Sequence, residues 1–346
     1  MIGTYIIVIF IIIMLCLLLK LKAKKLLVFL IILCISFLLV LNNNGFKTFL
    51  ITSSMSTKNH QYIAKLFYSK EEIERVLNKN KVVEQNEVTD LSLIAIGKKI
   101  KSYNKYEREL LKYSDLKYKL FKIKGHGYRG YLVAIYRPEK VSIAYSFKLG
   151  KEGEYITKIA KDNKAEVVIN ASGYYDPNWN SNGAIPHGLL IKNGKIISEY
   201  KESGMGGGLI GLTVDHKLFL GDISKKEITK YNIKEAVSFG PYLIINGKKN
   251  KILGDGGLGV APRTAIGQRK DGIFLFLVVD GRIITSIGAD LKEIQKILYN
   301  YGAYNATNLD GGSSSELLIK GKIINTPVGG GKTGLRKMPT YFTVKR

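Results

Sequence analysis

Asn308-Leu309-Asp310-Gly311-Gly312-Ser313-Ser314-Ser315 lies between a helical pattern and the apolar run Leu317-Leu318-Ile319. An acid followed by two glycines and three hydroxyls, where the chain turns into a strand, can offer one ligand a carboxylate and several backbone N–H groups. A plain Gly-Ser turn joining helix to strand has the same composition. Which of the two applies depends on the segments around it.

Upstream, Gly288 to Gly302 is a predicted helix with Leu291, Ile294, Ile297 and Leu298 on one face. Before it, the apolar strand Ile273–Val279 runs into Asp280-Gly281-Arg282, either a tight turn or a carboxylate and a guanidinium at a site edge. Ala236–Ile245 is an apolar run broken at Ser238-Phe239-Gly240-Pro241, which suggests close approach of the backbone to another group. Gly188–Lys192 and Lys195–Ile197 flank Asn193-Gly194 as a hairpin, with His187 just ahead of it. A lone loop histidine is more often structural or solvated, and an acid or base role is the sharper alternative. Tyr131–Tyr136, Val141–Phe147 and Glu166–Asn170 read as strands and Glu152–Asn163 as a helix. The third strand ends in Asn170-Ala171-Ser172-Gly173-Tyr174-Tyr175-Asp176, a polar and aromatic loop of the kind that holds ligands or simply turns.

Three glycine patterns are decoys. Gly206-Gly207-Gly208-Leu209-Ile210-Gly211 precedes a strand, and Gly254-Asp255-Gly256-Gly257-Leu258-Gly259 runs into Pro262. Neither opens the helix that a dinucleotide site needs. Gly331-Lys332-Thr333 lacks the first glycine of a phosphate loop, and Met338-Pro339 follows where a helix should run.

The Asn170 loop, Pro262-Arg263-Thr264-Ala265-Ile266-Gly267, Asp280-Gly281-Arg282, Ser286-Ile287-Gly288 and Asn308 to Ser314 occur in the order seen in the phosphodiester glycosidase family, which this chain resembles from about Gly125 to Arg346. The resemblance implies an α+β domain with a mixed, largely β core and a few packed helices, its active site built from loops at strand ends. It also implies hydrolysis of a sugar-1-phosphodiester at the anomeric carbon. Arg263 and Arg282 are then expected to hold phosphate oxygens, with the N–H groups of Gly311, Gly312 and Ser313 as an anion nest. Asp310 and Asp280 are the expected carboxylates facing the anomeric carbon or activating water, and Asn170 is expected to orient a sugar hydroxyl. Tyr175, Gly240 and His187 complete the expected substrate-binding set. Three departures from the family pattern bear on substrate identity: Ala171-Ser172 after Asn170, Ile283 after Arg282, and Glu316 after the serines. No cofactor is required by the ligand spacing, and a divalent ion at the aspartates is allowed.

The chain has 346 residues and a formal net charge of +25, and 46% hydrophobic residues are ample for a core. Such a charge favours anionic partners, here an anionic glycan or glycopolymer such as a teichoic-acid-like polymer or exopolysaccharide rather than nucleic acid. Met1 to Leu19 and Leu26 to Phe46 are free of charge, with Lys20, Lys22, Lys24 and Lys25 between them. These segments predict a transmembrane hairpin over residues 1–46 with a cytoplasmic lysine loop, in preference to a single anchor. Both placements put the C-terminal domain outside the cell membrane. Residues 47–124 are expected to form a basic, partly helical stalk, and 125–346 the catalytic domain. The alternatives are a non-catalytic module that binds an anionic glycopolymer and an envelope assembly scaffold. Oligomeric state, sugar and aglycone are left open.

Overall fold

The computed structural model describes residues 23–57, 60–84, 87–98, 100–102, 104–175, 182–200 and 208–346. The expected first span at Met1–Leu19, Asp176 of the Asn170 loop, and Gly206 and Gly207 lie outside the described residues. The chain divides into two compact units, Met1–Asn78 and Lys79–Arg346.

In the first unit, helix α1 (Ala23–Asn42) is followed by α2 (Asn44–Met55), α3 (Gln61–Phe67) and α4 (Lys70–Lys79). The expected continuous span from Leu26 to Phe46 is divided at Asn43, whose extended backbone leaves its Oδ1 to accept the N–H groups of Gly45 at 3.0 Å and Phe46 at 3.1 Å. A capping asparagine starts a new helix where hydropathy alone continues the old one. No single described helix is long and apolar enough to cross a membrane; Val28–Asn42 and Asn44–Met55 pass that test together, across a 72° bend. Leu30, Ile31, Ile32, Leu38 and Leu39 on α1 are exposed. Leu41, Ile51, Ala64, Tyr68, Ile73 and Val76 form this unit's small core. Ser69 caps α4, its Oγ accepting the N–H of Glu72 at 3.2 Å.

The second unit is α+β and mostly sheet. Its largest sheet has seven strands in the order β12 (Lys248–Lys249), β11 (Tyr242–Ile245), β16 (Ala303–Asn308), β14 (Arg263–Arg269), β15 (Phe274–Val279), β3 (Tyr128–Ile135) and β2 (Tyr118–Gly125). A five-stranded sheet runs β18 (Lys322–Ile323), β17 (Leu317–Ile319), β5 (Ala165–Asn170), β19 (Thr340–Lys345) and β4 (Val141–Tyr145). Another five-stranded sheet runs β7 (Lys195–Tyr200), β6 (Gly188–Lys192), β10 (Ile233–Ser238), β8 (Leu209–Thr213) and β9 (Leu218–Gly221). A short pair joins β1 (Val82–Val83) to β13 (Lys251–Ile252).

Alternation along the strands sorts the core. Phe274, Phe276 and Val278 share an interior with Val133 of the same sheet and with Ile169, Leu190, Ile210 and Phe342 from the other two. Leu275, Leu277 and Val279 face the opposite side, where the helix Leu291–Asn300 lays down Leu291, Ile294, Ile297 and Leu298. Asp290 caps that helix through the N–H of Glu293 at 2.9 Å, so it starts later than Gly288.

The sequence boundary at Gly125 differs from the structure. Tyr118–Gly125 is an edge strand of the large sheet, and residues from Lys79 onward belong to this unit. The contacts responsible join positions far apart in sequence: Thr89 N–H to Leu220 O at 2.9 Å and Ala95 N–H to Lys270 O at 2.7 Å. The break at Ser238–Pro241 is where the chain leaves one sheet as β10 and enters another as β11.

Antiparallel pairing brings the functional loops to one end of the sheets. Arg263 pairs with Val279 and Ala265 with Asn308 in the large sheet. Asn170 pairs with Tyr341 and Ile169 with Leu317 in the second, and Gly188 with Tyr200 and Ser238 with Leu209 in the third.

Candidate active site

The loop after β16 is fixed by its backbone. Leu309 N–H donates to Thr264 O at 2.8 Å and Asp310 N–H to Ala171 O at 3.0 Å. Gly312–Ser314 then forms a single 3-10 turn, with Gly312 at a φ of 61°. Gly312 N–H is taken by Pro262 O at 2.8 Å, and no acceptor among the described residues takes the N–H of Gly311 or Ser313. The expected nest of three donors is therefore reduced to two. A Cβ on Gly311 would lie 3.0 Å from Pro262 O, which accounts for the glycine.

Arg282 lies across this turn. Its guanidinium rests against Gly312 and donates from Nη1 to Ser313 Oγ at 3.3 Å. Although the residue is exposed overall, desolvation of the guanidinium against the loop lowers its pKa. Arg282 takes a φ of 58°, and Gly281 before it lies so close to Pro262 that a Cβ would be 2.5 Å from its nitrogen. The Asp-Gly-Arg turn thus places one cation against the turn that follows the half-buried Asp310.

Other expected site residues are committed to structure. Asp280 is fully buried; its Oδ2 accepts from Arg129 Nε at 2.8 Å and its Oδ1 from Thr326 N–H at 2.7 Å. Its carbonyl accepts Ser286 Oγ at 2.6 Å. It is a post that holds three segments together, not a carboxylate facing a substrate. Asn170, also fully buried, accepts Thr264 Oγ1 at 2.8 Å and Glu316 N–H at 3.1 Å on Oδ1, and donates from Nδ2 to Asp310 O at 2.7 Å. It clamps the ends of β5 and β14 to the Asp310 loop instead of reaching for a sugar. Arg263 is buried and uses Nε on Ala289 O at 3.0 Å and Nη2 on Leu258 O at 2.7 Å and Gly259 O at 2.5 Å. Burial pushes its guanidinium down to about 10. It pins the glycine-rich loop at 254–259, with Nη1 the end directed at Gly311. Gly240 spends its carbonyl on Asn308 Nδ2 at 2.9 Å.

Aromatic rings of the Asn170 loop and the β6–β7 hairpin pack together. Tyr175 packs on Tyr200 with ring centroids 4.7 Å apart, and the buried His187 lies 6.2 Å from Tyr200. Gly173 is required here because a Cβ would come within 3.1 Å of Phe239 and 3.3 Å of the His187 ring.

Glu316 and Arg336 were not among the expected site residues. Glu316 is fully buried, its Oε1 accepts Arg336 N–H at 2.7 Å, and burial pushes its carboxyl up to about 8. The Arg336 guanidinium sits 5.1 Å over the Tyr174 ring and hydrogen-bonds its hydroxyl. The available signal was an acid between three serines and an apolar strand. Because the folded-state value lies above the ordinary 4.5, the folded protein holds a proton that the unfolded chain lacks between those pH values. This stability is present below about 4.5 and lost as pH rises through 8. Glu316→Gln is expected to stabilise the protein by about 4 kcal/mol at pH 8 and by almost nothing at pH 4. Denaturant melts at the two pH values check this, and an equal difference at both would contradict it.

Among the described residues, no group of three or more His, Cys, Asp or Glu side chains could hold a metal ion.

The family model described as phosphodiester glycosidase matches residues 163–345. The SPbeta prophage-derived uncharacterized protein YomE of Bacillus subtilis (strain 168) is 32% identical over 179 residues, which are 50% of this chain and 27% of that relative. The chain thus spans about a quarter of the length of the curated relative it matches. Among solved structures, the zebrafish N-acetylglucosamine-1-phosphodiester alpha-N-acetylglucosaminidase catalytic domain, auto-inhibited by its pro-peptide, superposes with a TM-score of 0.54 at 20% identity. That match covers 66% of this chain and 82% of that one, and it is a likeness of fold.

Proposed function

Because the chain belongs to the phosphodiester glycosidase family, we propose that it hydrolyses a sugar-1-phosphodiester in an anionic cell-envelope glycan. The observation that carries this reading is the placement of Arg282 against the turn Gly311 to Ser313, which follows Asp310 in the chain and leaves the N–H groups of Gly311 and Ser313 without an acceptor among the described residues. A diester phosphate held by that cation and those donors would present its anomeric carbon to the carboxylate. The bond from that carbon to the phosphate oxygen breaks, the phosphate keeps the electron pair, and a water oxygen replaces it on the sugar. Phosphate carries charge comfortably as it leaves, so the site needs anion binding and a carboxylate more than a strong acid. Asp310 takes the proton of the attacking water or balances positive charge at the anomeric centre. Asp280, Asn170 and Arg263 keep the loops in register.

The N-terminal unit holds the chain at a membrane, with the second unit outside the cell. Supporting this are the exposed apolar face of α1 and the lysines at its start. Washing cell membranes with alkaline carbonate is expected to leave the chain in the pellet, and its release would contradict the anchor.

The test of function is release of free sugar by the full-length chain from a panel of sugar-1-phosphodiesters, an N-acetylglucosamine member included. Turnover of at least one member is expected. A folded chain that releases no sugar from any of them would overturn the assignment.

A further inference from the structure

The segment Thr326 to Lys337 has no part in the chemistry above, yet it borders the candidate site. A Cβ on Gly329 would lie 2.8 Å from Ser313 O, and Arg336 N–H is bound by Glu316 two positions after Ser314. The segment is a necked loop. Gly329 N–H donates to Gly334 O at 2.6 Å, and Gly334 is so close to Pro327 that a Cβ would be 2.2 Å from its carbonyl oxygen. Beyond the neck, Gly330 and Gly331 have open space where a Cβ would stand, and both take positive φ.

Two cavities lie on either side of the loop tip, of about 620 and 360 Å³. Both include Lys332 and Thr333 in their walls, and among the described residues neither wall contains a carboxylate. The smaller cavity is also bounded by two tyrosines under cations: Arg336 lies 5.1 Å over Tyr174 and Lys337 5.8 Å over Tyr155. The nearby acids are spoken for. Glu152 pairs with Lys148 and Lys337 at 2.5 Å each, and buried Glu316 is held protonated at neutral pH. Tyrosine faces beside the exposed Lys332 suit a sugar that carries an anion.

We propose that the clefts flanking the Gly330-Gly331-Lys332-Thr333 tip form a second subsite, which binds the neighbouring anion-bearing unit of a polymeric substrate. This rests on the reaction proposed above and narrows it: the substrate is a chain of repeating phosphate-linked units, not a small diester. Lys332 contacts the neighbouring phosphate, and the exposed Tyr155 ring carries the adjoining sugar or polyol.

The experiment compares kcat and KM of the full-length chain on a small sugar-1-phosphodiester and on an oligomer of several such units, for wild type, Lys332→Glu and Tyr155→Ala. Wild type is expected to favour the oligomer by roughly tenfold or more in kcat/KM, through KM. Lys332→Glu should abolish that preference and leave the small diester unaffected. A wild type without preference, or a Lys332→Glu variant that keeps it, overturns the proposal. A separate arm measures binding of a poly(glycerol phosphate) oligomer by calorimetry. About tenfold weaker binding by Lys332→Glu supports the subsite, and equal affinity overturns it. Absence of sugar release by wild type would overturn the reaction reading alone, and the binding arm would still decide the subsite.

Discussion

Asp310→Asn is expected to lower the rate of sugar release by ~10²–10⁴ with the fold retained. The kinetic part follows from position. Asp310 is a half-buried carboxylate at the end of β16, next in sequence to the unspent N–H of Gly311 and one turn from the Arg282 guanidinium. Replacing its carboxylate with an amide removes both a base and a negative charge at the anomeric centre. The fold is retained because the loop is held through its backbone as well: Asp310 N–H is bonded to Ala171 O and its carbonyl to Asn170 Nδ2. Near-full turnover in this variant would remove Asp310 from the chemistry. A large loss of stability would mean that the side chain is a structural group, as Asp280 is.

The second large effect is on folding. Asn170→Ala is expected to cost about 3–5 kcal/mol, because it leaves buried partners on three segments unsatisfied: Thr264 Oγ1, the N–H of Glu316 and the carbonyl of Asp310. Each is worth roughly 1–3 kcal/mol when orphaned in a dry interior. Activity should fall as well, since the same side chain ties the Asp310 loop to the end of β5. The sequence-based alternative, a side chain that only orients a sugar hydroxyl, makes a different forecast: lower kcat with an unchanged melting transition. Denaturant melts beside the kinetics decide between the two, and an unshifted midpoint would reject the clamp.

Local patterns were legible where local physics decides them. Asn193 and Gly194 take φ values of 52° and 72°, as the hairpin dipeptide requires. The apolar stripe on Leu291 to Leu298 is buried as its spacing indicates. What the sequence hides is long-range pairing. Thr89 and Ala95 sit in the segment that reads as a stalk, yet their partners are Leu220 and Lys270. The break at Gly240-Pro241 signals that a strand stops, without showing that the chain changes sheets there. At the site, residue type does not separate chemistry from scaffolding. Asp280 and Asp310 each precede a glycine at a strand end, and only the partners show that both oxygens of Asp280 are committed. Glu316 stood out only as a departure from the family pattern, because its environment is made by Arg336 and Asn170, both distant in sequence.

The central claim is attack at the anomeric carbon of a phosphodiester-linked sugar. Hydrolysis by the full-length chain in water labelled with heavy oxygen, followed by mass spectrometry of both products, tests it directly. The label is expected in the freed sugar and absent from the phosphate monoester. Label in the phosphate would show cleavage of the phosphorus–oxygen bond and contradict the account.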